Sequence, residues 1–149
     1  MVVYGFIDHH RQRNWLRRSW LETLREKNDS LSPHMEIVED RVEWRGLADP
    51  DKDGLADSAA LTEAEDEITA RLLEDMVLRC RNAGVGFLVA YLPDGTDFAK
   101  RHPLQNTFDR LAEDSSFIDL RRVIDHAGAS FADNHLNPDG HRMVASQLR

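Results

Sequence analysis

The sequence predicts an α/β fold of three layers, α/β/α, around a parallel sheet of at least three strands. Val2 to Ile7 (VVYGFI) and Val85 to Leu92 (VGFLVAYL) are continuous apolar runs, which is the pattern of parallel strands covered on both faces rather than of a half-exposed sheet. Helical patterns lie between and after these runs, and strands alternating with helices imply βαβ units. A length of 149 residues suits one domain with a single core.

Each element has its own local reason. Val2 to Ile7 is the first strand. Asn14 to about Lys27 sets Trp15, Leu16, Trp20, Leu21 and Leu24 on one broad helical face. Asp29 to Leu61 is long, polar and turn-rich, and reads as an excursion over the sheet edge. Thr62 to Ala83 is the strongest helical signal. Thr62 and Glu65 have the spacing of a capping box, Ile68, Leu72, Leu73, Met76, Val77 and Cys80 form an apolar stripe, and Gly84 is the stop. Pro103 to Ala112 reads as a helix burying Leu104, Phe108 and Leu111, and Phe117 to Leu120 as a short third strand. Asn137-Pro138, a good cap with proline in the first helical position, opens the last helix. There are no internal repeats.

Composition narrows the function classes. Nineteen basic against twenty-seven acidic residues give a net charge of -8, so a nucleic acid would be repelled over most of the surface. The local cluster Arg11, Arg13, Arg17, Arg18 and Arg25 reads as a solvated helix face. The one cysteine, Cys80, excludes an intrachain disulfide and a cysteine-based zinc site. No run approaches the roughly 18 apolar residues of a membrane span, and no signal pattern opens the chain. The opening residues already read as a core strand, so the expectation is that upstream sequence is missing or the start is set too late. Compartment stays open: cytoplasmic by default, unless an absent segment carries an export signal.

The segment richest in chemistry is Phe131-Ala132-Asp133-Asn134-His135-Leu136-Asn137-Pro138-Asp139-Gly140-His141. A histidine just before a helix, with a carboxylate two residues earlier, suits general-base work: the carboxylate orients one ring nitrogen and the other takes a proton from a hydroxyl. The bland reading is a turn at Asp133 and Asn134 followed by a cap at Asn137. In a parallel α/β sheet the ligand site lies beyond the carboxyl ends of the strands. That rule selects Asp8 to Arg13, Pro93 to Asp97, and Ala127 to Asn137.

The string D-x-H-x-N-x-x-G-H before a terminal helix resembles the last motif block of SGNH/GDSL-type hydrolases, with the separation of acid and base one residue shorter than the usual D-x-x-H, as in polysaccharide acetyltransferases. The resemblance implies a flavodoxin-like fold, His135 as general base, Asp133 as its partner and a structural role for His141. It implies hydrolysis or transfer of an O-acyl ester of a small molecule or glycan, with no metal or organic cofactor. VVYGFIDHHRQRN is similar to that superfamily's strand leading into a G-x-N-D turn, whose asparagine helps bind the oxyanion. Gly5 and Asp8 match, Ile7 stands where the asparagine belongs, and Asn14 is either a substitute or the cap of its helix. The family's serine follows an earlier strand. Ser19, Ser30, Ser32, Ser58, Ser115, Ser116 and Ser130 do not fit that position, so the chain reads as one incomplete SGNH-like domain over residues 1–149 with residues 29–61 as an excursion within it.

Two other signals compete. Asp8-His9-His10 resembles the signature triplet of DHH phosphoesterases, which bind divalent metals. Asp49, Asp51, Asp53 and Asp57, with Gly54 at the sixth position, match the front of a calcium loop, but the twelfth position holds Ala60 rather than glutamate. A solvated acidic turn is the plainer reading. A non-catalytic α/β binding module is the alternative from another class. An incomplete sheet would leave an edge through which copies of the chain self-associate.

Overall fold

The first apolar run forms strand β1, Val2–Ile7, in a computed structural model that describes residues 1–8, 10–13, 15–28, 32–39, 41–55, 59–93, 101–124 and 136–148. The remaining elements are α1 (His10–Arg13), α2 (Arg18–Asn28), β2 (Ser32–Val38), β3 (Arg41–Ala48), α3 (Ala59–Asn82), β4 (Phe87–Leu92), α4 (Gln105–Glu113), β5 (Phe117–Asp119), α5 (Arg121–Ile124) and α6 (Pro138–Gln147). The chain divides into two compact units: residues 1–8 with 80–149, and residues 9–79. In sequence, the second is inserted between two neighbouring strands of the first.

The first unit carries the parallel sheet, in the order β1-β4-β5 among the described residues. β1 pairs with β4 from Val2 opposite Phe87 to Ile7 opposite Leu92, and β4 pairs with β5 from Val89 opposite Phe117 to Tyr91 opposite Asp119. Val89, Ala90 and Tyr91 are consecutive and all buried, as a strand covered on both faces requires. Helix α4 buries Thr107, Phe108 and Leu111. The Phe108 ring, fully buried, lies 4.6 Å from Phe117, 5.0 Å from Tyr91 and 5.9 Å from Phe6 between centroids. This aromatic stack is the centre of the unit's core.

Two helix ends here close in the same way. Gly84 adopts φ +68°, its N–H donates to the Arg81 carbonyl, and the Val85 N–H reaches back to Cys80. That is a Schellman stop, as the glycine predicts. Helix α4 repeats it with Ser115 at φ 56°, through Ser115 N–H to Ala112 and Ser116 N–H to Leu111. At the start of α6, the Asn137 side chain accepts from the Asp139 and Gly140 amides with Pro138 in the first position, matching the expected cap.

In the second unit Leu16, Leu21 and Ala48 form one core cluster, and α3 buries Glu65, Ile68, Thr69, Leu73 and Val77 along one stripe. The expected capping box is absent. Helix α3 begins at Ala59, so Thr62 and Glu65 lie inside it. Glu65 takes Arg17 in two contacts, Nε to Oε1 at 2.7 Å and Nη2 to Oε2 at 2.6 Å. A long-range charge outcompetes the local cap. The stretch read as a polar, turn-rich excursion contains the antiparallel hairpin β2–β3, with an irregularity between His34 and Met35 opposite Gly46 at φ 111°. Its strands read as loop because Trp44 and Leu47 stay exposed and Pro33, His34 and Glu36 interrupt any apolar run. No helix among the described residues is long and apolar enough to cross a membrane.

Candidate functional site

The carboxyl ends of the parallel strands carry a connected set of polar side chains. Asp8 directly follows β1, Tyr91 is the fifth residue of β4, and their strands are paired, so the two side chains can meet. The Tyr91 hydroxyl donates toward both Asp8 oxygens, each at 3.1 Å. His102, just before α4, sets Nε2 2.5 Å from Asp8 Oδ1. Its other nitrogen, Nδ1, accepts the Leu104 N–H at 3.0 Å. The His102 side chain is 8% exposed and that of Asp8 21%.

A second pair lies beside this one. The Arg121 guanidinium meets Asp119 through Nε (2.8 Å) and Nη2 (2.5 Å), donates to Gln105 Oε1 at 3.3 Å, and sits 5.6 Å from the Tyr91 ring centroid. Burial, reinforced by the Asp8 charge and hydrogen bond, pushes the Tyr91 phenol well above its ordinary value. The phenol therefore keeps its proton at neutral pH and acts as a donor. The hydrogen bonds to Asp119 raise the Arg121 guanidinium above its usual range, so it stays cationic.

Of the described residues singled out from sequence, Asp8 alone joins this set. Gly5 lies within β1, and a Cβ there would meet only Leu92 Cδ1, at an ordinary 3.4 Å. No close approach demands glycine. Asn14, Asp133, His135 and Asp57 lie outside the described residues, as do His9 and Ser130. His141 is exposed on α6. Among the described serines, Ser19 is in α2 and Ser32 in β2, while Ser116 and Ser146 donate their hydroxyls to the Asp114 and Met143 carbonyls.

The acidic turn is closed by its own backbone and by cations. Asp53 accepts the Asp49 N–H, Asp49 accepts the Asp51 N–H, Lys52 pairs with Asp49, and Arg25 pairs with Asp51. The Asp51 amide and Lys52 hold the Asp49 carboxyl below its usual range. Gly54 is required there, because a Cβ would fall 2.5 Å from the Pro50 carbonyl oxygen. Among the described residues no group of three or more His, Cys, Asp or Glu is arranged to hold a metal ion. In the same unit a cleft of about 580 Å³ is lined by Arg41, Arg71 and Arg79 with Glu43, Glu74 and Asp75, so its formal charges cancel.

Tyr91, His102 and Arg121 were not legible as site residues in the sequence. The usable signal for Tyr91 was a hydroxylated ring near the carboxyl end of an otherwise aliphatic run. His102 carried only its place ahead of a helix. Comparison with protein-family models, with curated proteins and with solved structures gives no match to this chain.

Proposed function

We propose that this chain carries the acid–base pair of an SGNH/GDSL-type ester hydrolase or O-acyltransferase acting on an O-acyl ester of a small molecule or glycan. The observation that carries the reading is the block running from Asp133 into α6. Its asparagine, Asn137, caps the helix with two backbone hydrogen bonds of 2.9 Å and its glycine, Gly140, is buried, while Asp133 and His135 enter the reading by their places in the sequence motif. The parallel order β1-β4-β5 adds support, because such sheets bind ligands beyond their carboxyl ends.

In this reading His135 takes the proton from an attacking serine hydroxyl while Asp133 orients the imidazole. The imidazolium then protonates the departing alcohol, and water or a second hydroxyl accepts the acyl group. No serine among the described residues has the strand-to-turn setting of such a nucleophile, so the isolated chain is expected to hydrolyse p-nitrophenyl acetate weakly or not at all. The deciding experiment uses the whole translated product of the gene. His135→Ala is expected to lower its ester turnover by about a thousandfold or more, with a smaller loss in Asp133→Ala. Turnover that survives His135→Ala, or the lack of any ester turnover, sinks the proposal.

The DHH-type phosphoesterase reading would need Asp8 as a metal ligand. Its carboxylate accepts from Tyr91 and His102 instead. That same mutual satisfaction favours, as a second reading, a non-catalytic binding module with the same fold.

A further inference from the structure

We infer that Asp8 and His102 are positioning residues: they tie the exit of β1 to the entry of α4 at the carboxyl rim of the parallel sheet. The His102 ring is almost buried, nearly parallel to Phe108 at 4.9 Å and 25°, with Tyr91 at 5.1 Å. Its two nitrogens address different parts of the chain. Nδ1 accepts the Leu104 N–H, and Nε2 faces Asp8. A ring nitrogen that accepts an amide proton carries none itself, so the neutral ring holds its proton on Nε2 and donates it to the carboxylate. Asp8 also accepts from Tyr91 on β4. Displacing either segment would strand a mostly buried polar group, which costs more than the bond itself contributes.

An imidazole whose lone pair is held by a backbone amide and whose N–H is held by a carboxylate has no nitrogen facing a substrate. Its role is geometric. The same holds for Asp8, which the family resemblance would set beside the substrate. The consequence for catalysis rests on the ester-transfer reading: a reacting group misplaced by about 1 Å loses on the order of a hundredfold in rate.

The test uses the full chain, labelled with nitrogen-15, at pH 8. Long-range proton–nitrogen spectra are expected to show His102 as the Nε2–H tautomer, with a downfield Nε2 proton bonded to a charged acceptor. Asp8→Asn is expected to move that proton upfield. His102→Gln keeps a donor toward Asp8 but removes the acceptor for Leu104. It is expected to raise amide exchange at Leu104 by about tenfold or more while Val89 keeps its protection, and it decides the matter if Asp8→Asn does not fold. In a whole gene product that turns over esters, both variants are expected to lower kcat/KM roughly a hundredfold, in kcat more than in KM. An Nδ1–H or rapidly averaging ring in the parent chain overturns the inference, as does unchanged Leu104 exchange in His102→Gln. An active enzyme indifferent to both variants overturns it too. Absence of ester turnover in the parent overturns the hydrolase reading alone, because spectra and exchange decide the tie without it.

Discussion

In the unit formed by residues 9–79, Arg17 and Glu65 meet as a two-contact ion pair with side chains 14% and 4% exposed. In the other unit, Asp8 is held by a phenol and an imidazole N–H. Both arrangements shield a carboxylate from water, Glu65 more fully than Asp8, yet they distribute the electrostatic cost differently. The ion pair sets two full charges against their lost hydration, with the Thr62 hydroxyl a further contact of Arg17 at 3.5 Å. The Asp8 network sets one charge against the Tyr91 phenol and the His102 ring, so losing either one leaves the other in place. Carboxylates in one small protein can thus be held by a full opposite charge or by ring hydrogen-bonding groups.

The largest expected effect tests the ion pair. Glu65→Ala should destabilise by about 3 kcal/mol in urea unfolding, because it removes the counter-charge of a mostly buried guanidinium, whereas Arg17→Met combined with Glu65→Leu should recover most of the loss. A cost below about 1 kcal/mol would make the pair no different from one on the surface. Next comes Tyr91→Phe, which removes one donor to Asp8 and should cost about 2 kcal/mol at neutral pH.

That network also predicts a pH dependence. The folded phenol holds its proton more tightly than the unfolded one, whose ordinary value is 10.0. The contribution to stability is therefore full below pH 10 and is lost as pH rises through the higher folded value. Unfolding free energy measured from pH 8 to 11 should fall in the parent chain and fall less steeply in Tyr91→Phe. The smallest effect marks the solvent-exposed limit. Asp51→Asn breaks the Arg25–Asp51 pair, with side chains 42% and 72% exposed, and should change stability by less than about 1 kcal/mol.

The elements easiest to read were those whose signals are local. Val2–Ile7 is a strand as its apolar run predicts, but the expected cover on both faces holds for β4 and not for β1, where Val2 and Val3 stay exposed and Phe6 is buried. Helix α3 stops where Gly84 can take a positive φ, and α6 starts where Asn137 can cap and Pro138 can follow. The hairpin β2–β3 was missed because an exposed two-stranded ribbon needs no apolar run. The start of α3 was misread because Thr62 and Glu65 have capping spacing but Glu65 answers to Arg17, forty-eight residues earlier. The site was legible only in part. Asp8 stood out next to two histidines, while its partners Tyr91 and His102 lie 83 and 94 residues away.

Taken alone, the residue order determined the α/β class, the places of the parallel strands, and the ends of helices set by glycine, asparagine and proline, because those depend on groups within a few residues. Tertiary structure decided which charges pair and which ring nitrogen of His102 holds its proton. It also made Asp8 a group held by others rather than one facing outward. Such choices depend on burial and on partners distant in sequence, and neither exists until the strands are side by side.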